Sequence, residues 1–114
     1  LILKIDGVKI KEPHEFNIER YDITKAERLA SGKMVMDLIA KKKKFIFNYN
    51  VLSGKALQAL LDLIDTDKMF HEFTYEENGV LKTTTVYSSP IKYQKFRTSM
   101  GWYWKNVSFS LIEQ

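Results

Sequence analysis

Apolar and polar residues alternate along most of this chain. Leu1, Leu3 and Ile5 alternate with Ile2, Lys4 and Asp6, and Asp6-Gly7 follows as a turn before a short return over Val8–Lys11. Pro13 breaks that return. Phe16, Ile18 and Arg20 then alternate with Asn17, Glu19 and Tyr21 in a second extended segment. Thr24–Gly32, TKAERLASG, follows neither the strand nor the helix period. It predicts a long loop, with at most one helical turn at Lys25–Leu29. From Lys33 the alternation returns, with Met34, Met36 and Leu38 on one face and Val35, Asp37 and Ile39 on the other. Four lysines follow, and then Phe45, Phe47 and Tyr49 face one way while Ile46 and Asn48 face the other. A single strand over residues 34–49 would be about 50 Å long. A reversal is therefore expected near Ala40–Lys43, as a wide loop or as an extended hairpin projecting from the body.

Ser53 can cap a helix whose apolar stripe is Leu57, Leu60, Leu61 and Ile64. Asp65-Thr66-Asp67 ends it. Asn78-Gly79 between two β-prone runs is the strongest hairpin signal in the chain. Pro90 closes the second of these runs, and Ile91–Phe96 predicts a short edge strand. After Met100-Gly101, Trp102 and Trp104 alternate with Tyr103, then Val107, Phe109 and Leu111 with Ser108 and Ser110. The apolar phase shifts across Lys105-Asn106, as a bulge there would cause. Seven to nine short strands and one helix at about 53–64 predict a mainly β fold in a single domain, 1–114. The expected architecture is an antiparallel β-sandwich or barrel with the helix packed on it.

The chain has 114 residues, no cysteine and a net charge of +4. A disulfide framework and a thiolate metal site are therefore excluded. The charge is blocked. Residues 24–49 carry seven bases and two acids, residues 50–80 two bases and six acids, and residues 81–114 five bases and one acid. Opposite blocks of this kind can attract a second copy or a complementary partner. No apolar run approaches the roughly 20 residues of a membrane span.

Catalytic chemistry finds little support. His14 and His71 have no partner at a metal-binding spacing, and His71 reads as a core-edge or surface residue. Asp62 with Asp65, and Glu76 with Glu77, read as solvated charge at a helix end and a hairpin rim. No catalytic residue, metal ligand or cofactor is expected. A nucleic-acid module is the runner-up, because Lys41–Lys44 adjoin Phe45, Phe47 and Tyr49, and Trp102, Tyr103 and Trp104 adjoin Lys105. Period-2 alternation counts against it. Rings that share one strand face point into a core, and the tryptophans are expected in the core or an interface. A small-ligand sandwich would show an apolar pocket lined by those tryptophans.

Ala26-Glu27-Arg28, Ala30-Ser31-Gly32, Met34, Ile39, Lys42, Lys44 and Leu52-Ser53 follow one another in an order that resembles small tail-module proteins of Gram-positive siphophages and prophages. The opening LILKIDGVKIKEP and the closing WKNVSFSLIEQ resemble the same family, so the likeness spans nearly the whole chain. Asn48-Tyr49 stand where members often have Trp. The resemblance implies a virion structural protein of the tail-tube or distal-adaptor kind, not an enzyme. It further implies self-association into a ring, hexameric in that family, and contacts with other tail proteins; from the alternation and the lack of a long apolar run, neither nucleic acid nor a membrane is the expected partner. The protein would be made in the bacterial host cytoplasm and end in the virion tail. Arg28, Lys33, Lys41, Lys42, Lys43 and Lys44 are the expected subunit-interface residues, with the lysines forming a solvated hairpin end or edge that faces an acidic neighbour.

Overall fold

The structure, a computed structural model, describes residues 1–99 and 101–114, without the side chains of residues 25, 35–39 and 98. The faces expected for Val35, Met36, Asp37, Leu38 and Ile39, and the break placed at Met100, lie outside the described residues. The elements are β1 (Leu3–Ile5), β2 (Val8–Lys9), β3 (Glu15–Arg28), β4 (Met34–Leu52), α1 (Gly54–Ile64), β5 (His71–Glu77), β6 (Val80–Ser88), β7 (Lys92–Thr98) and β8 (Gly101–Glu113). Among the described residues, eight antiparallel strands and one helix match the expected fold class. The sheet runs β2-β1-β5-β6-β8-β4-β3, and β7 pairs with β8 off this path. Along one edge β8 meets β4. Along the other it meets β6 through Leu111–Glu113 and β7 through Gly101–Ser108.

Two tight turns form because their residues accept positive φ. Asp6 and Gly7 sit at 51° and 81°, and Asn78 and Gly79 at 55° and 80°. Positive φ at both central residues is the type I′ geometry that matches strand twist. The helix starts where expected. Ser53 Oγ accepts from the Ala56 N–H at 3.2 Å, and the Leu61 carbonyl accepts from the Asp65 N–H at 2.8 Å at the other end. Leu57, Leu60 and Ile64 are its buried stripe. Ser53→Ala is expected to cost about 1 kcal/mol of stability, read as a lower urea midpoint with an unchanged slope.

The sheet curls so that β5 faces β4 across an aromatic core. Phe73 packs edge-on against Phe45 at 4.8 Å and against Phe47 at 5.6 Å, and Phe47 stacks on Phe109 at 4.6 Å. Phe45, Phe47, Tyr49, Val107, Phe109 and Leu111 are buried as their alternation predicts. The buried phase then changes, with Leu52 next on β4. The irregularity expected at Lys105-Asn106 is present: Asn106 has φ 52°, and the β7–β8 register slips between the Lys92–Ser108 and Gln94–Lys105 pairs. Tyr49 donates its hydroxyl to the Lys11 carbonyl at 2.6 Å, and burial pushes its pKa up.

The segment before the aromatic strand departs from expectation. Thr24–Arg28 belongs to β3 and is neither loop nor helical turn, and the chain does not reverse at Ala40–Lys43. It reverses at Leu29–Lys33, where the Leu29 N–H donates to the Lys33 carbonyl, the Gly32 N–H to the Leu29 carbonyl, and Gly32 has φ 84°. β4 is one strand of 19 residues. Its pairing with β8 begins at Lys44, so residues 34–43 pair with β3 alone. Ten residues at about 3.3 Å each make this two-stranded arm roughly 33 Å long, with its base at Lys42 and Lys43 tied to Gln114, Tyr75 and Glu77 of the body. The molecule accordingly measures 67 × 30 × 29 Å.

Candidate functional site

The six expected interface residues fall in two places on the arm. Arg28 and Lys33 are at its tip, with Arg28 donating to the Gly32 carbonyl at 3.0 Å. Lys41–Lys44 lie at its base, in mid-strand and not at a hairpin end, opposite Asp22, Tyr21, Arg20 and Glu19. Strand alternation separates the four lysines. Lys43 shares the face of Phe45 and turns inward, where it donates to the Tyr75 hydroxyl at 3.1 Å and lies 3.6 Å from Glu77. That hydroxyl raises the Lys43 pKa against a smaller opposing effect of burial. Lys42 donates to the Gln114 carbonyl. Lys41 is exposed and Lys44 half-buried. The lysine run is thus partly an internal tie.

Glu77 receives that tie. Its carboxylate lies 2.6 Å from Arg20, 3.4 Å from Lys82 and 3.6 Å from Lys43, and its side chain is largely covered. Burial pushes its pKa up, but the Arg20 hydrogen bond and the charges of Lys43 and Lys82 outweigh that and hold it below the usual carboxylate range. The expectation of a solvated hairpin rim is corrected here. Glu77 locks the β5–β6 hairpin to the base of the arm, because the curl of the sheet brings β5 against β3 and β4. No sequence spacing marks that meeting.

A second polar centre joins the β1–β2 turn to β5. Asp6 Oδ2 lies 2.6 Å from His71 Nδ1, and Oδ1 accepts from the Glu72 N–H at 2.9 Å and from Lys68 at 3.2 Å. His71 is only 3% exposed. Burial raises the Asp6 pKa, and these hydrogen bonds, with His71 foremost, lower it by more. Among the described residues no group of three His, Cys, Asp or Glu side chains could hold a metal ion, and no helix is long and apolar enough to cross a membrane.

Two surfaces remain open. A groove of about 920 Å³ runs from the arm base to the end of the helix, between Tyr21, Ile23, Leu61, Phe70, Tyr87 and Tyr93. Neither tryptophan lines it, unlike the pocket expected of a small-ligand sandwich. The other surface is the β7–β8 hairpin, where Trp102 is 59% exposed and not in the core. Lys95 lies 5.4 Å from the ring centres of both Trp102 and Trp104. The alternation along β8 concealed this exposure, because the hairpin extends past the strands that would cover it. No family model matches the chain, and neither a curated protein nor a solved structure does.

Proposed function

We propose that this chain is a structural subunit of a phage tail or baseplate that assembles into a ring with copies of itself, its arm reaching the neighbouring subunit. The single observation that carries the proposal is the arm. A two-stranded ribbon is marginal on its own in water, and a partner surface stabilises it. Its tip presents Leu29 and Met34, 47% and 51% exposed, beside Arg28 and Lys33. Apolar anchors flanked by bases suit a surface with apolar pockets and acidic edges. The acidic block at residues 50–80 of a second copy offers such edges. The resemblance of its motif order to siphophage tail proteins favours the same reading. On this reading the protein is no enzyme, and it passes from the bacterial host cytoplasm to the virion tail.

Because Lys42 and Lys43 are tied to the body, Arg28 and Lys33 at the tip and Lys41 and Lys44 at the base are the bases that would meet a neighbour. The reading is tested by negative-stain microscopy and sedimentation of the purified protein. Closed rings are expected. Leu29→Asp with Met34→Asp is expected to weaken association by roughly a hundredfold to a thousandfold, since buried interface anchors are worth about 2 kcal/mol each and are not fully additive. The melting temperature of the isolated subunit should not change. A protein that stays monomeric at high concentration, or rings indifferent to the double substitution, would end the proposal.

A further inference from the structure

We propose that one face of the β7–β8 hairpin binds single-stranded nucleic acid, with Tyr93, Trp102 and Trp104 stacking on bases and Lys95 and Arg97 holding phosphates. The cross-strand register builds this face. Lys95 stands opposite Trp104 and Arg97 opposite Trp102, so cation and ring alternate across the two strands. Tyr93 continues the row, its ring meeting Trp104 edge-on at 5.0 Å. Lys95 is held over both indoles, and Trp102 and Tyr93 are open to solvent.

The charge carried by this segment of the chain has one sign. From Asn78 to Ile112 the chain contains no Asp or Glu, while Lys82, Lys92, Lys95, Arg97 and Lys105 fall within it. Polyanions are attracted to such a stretch, and the attraction weakens as salt displaces the gain from counterion release. Flat rings between the cations add what charge alone lacks, since every base has a face to stack. The platform offers rings and cations and no aliphatic side chain, which suits bases and phosphates better than the mixed apolar centre of a protein interface. A seven-residue strand is about 23 Å long, the scale of the smallest single-strand sites, about four nucleotides. Tyr93 also lines the groove toward the arm base, but Asp65 and Glu113 line it too, so the proposed site is confined to the hairpin face.

This face shares no residue with the arm tip, and the inference does not depend on ring assembly. It also relocates the nucleic-acid question. The rings beside the four lysines are buried, and those of β7–β8 are exposed.

The test is tryptophan-fluorescence titration of the full chain with a short oligothymidylate at low salt. Heparin serves as an anion without bases, and a duplex of equal length as the second comparison. Quenching by the oligonucleotide is expected, reversed by added salt and weaker for the duplex. Trp102→Ala is expected to weaken binding about tenfold, the loss of one stacked base, and Trp102→Phe to restore part of it. Binding of both variants is followed by anisotropy of a labelled oligonucleotide. Trp102 is the residue to change because it is exposed, whereas Trp104 lies beside Gly54 at the start of the helix. No binding at low salt would overturn the proposal. So would heparin and oligonucleotide binding alike with no effect of Trp102→Ala. Loss of rings on Trp102→Ala, with oligonucleotide binding intact, would assign the face to subunit contact instead.

Discussion

Phe47→Ala is expected to lower the unfolding free energy by about 3–5 kcal/mol, the range for deleting a large ring from a packed core. Phe47 is fully buried and touches rings from three other strands. It stacks on Phe109 of β8 at 4.6 Å with planes 6° apart, meets Phe16 of β3 at 5.0 Å, and meets Phe73 of β5 at 5.6 Å. Its removal loses the transfer free energy of the ring and leaves a cavity among four strands that cannot all move inward. Phe47→Leu keeps most of the volume and should cost less. Phe16→Ala, at the half-buried edge of the same cluster, should also cost less. Urea titrations followed by tryptophan fluorescence provide the comparison. Equal losses at Phe47 and Phe16 would mean that the sheet does not close on itself as described.

The second large effect is at Asp6. Asp6→Asn is expected to cost about 1.5–3 kcal/mol at neutral pH, the range for hydrogen bonds to a charged group. Asparagine tolerates the left-handed conformation at this turn, so the substitution changes the carboxylate without straining the backbone. Asp6→Ala should cost about 1 kcal/mol more, because alanine does not accept φ 51° freely. The loss depends on pH in a defined direction. A carboxyl whose pKa is lowered in the folded state stabilises it fully above the ordinary value, here 3.8, and that contribution disappears as pH falls toward the folded value. The gap between wild type and Asp6→Asn should therefore be widest at neutral pH and close under acid. Urea midpoints at several pH values measure it. A gap that persisted unchanged at low pH would show that Asp6 contributes shape and not charge.

Local chemistry made much of this molecule legible in its sequence. Asp6-Gly7 and Asn78-Gly79 can take positive φ, Ser53 can cap, and the stripe from Leu57 to Ile64 has only one partner face to bury. The strand containing Phe45, Phe47 and Tyr49 announces its core side by alternation. The arm was not legible for an equally physical reason. Thr24–Arg28 pairs with another strand, and Thr24, Ala26, Glu27 and Arg28 are exposed to water, so no apolar face imposes period 2 there. A strand over residues 34–49 is too long only for one that stays within the body, and this one leaves it. Ser31-Gly32 carries a turn signal, but in a stretch without strand period it marks the end of a loop as readily as the tip of a hairpin. The Glu77 and Asp6 centres and the exposure of Trp102 depend on how distant strands meet, which spacing along the chain does not encode.

The order of synthesis gains meaning from the place of β8. This strand is the last of the eight to leave the ribosome, yet β4, β6 and β7 all bond to it. Until residues 101–113 emerge, β4 has only β3, and the β5–β6 hairpin has no link to them through the sheet. Folding of the body must wait for those residues, and contacts between distant positions are slow to form. The nascent chain therefore spends translation with strand pairs that are marginal on their own and edges that are unpaired. A pause or truncation before β8 would leave a chain that chaperones must hold, not a smaller folded domain.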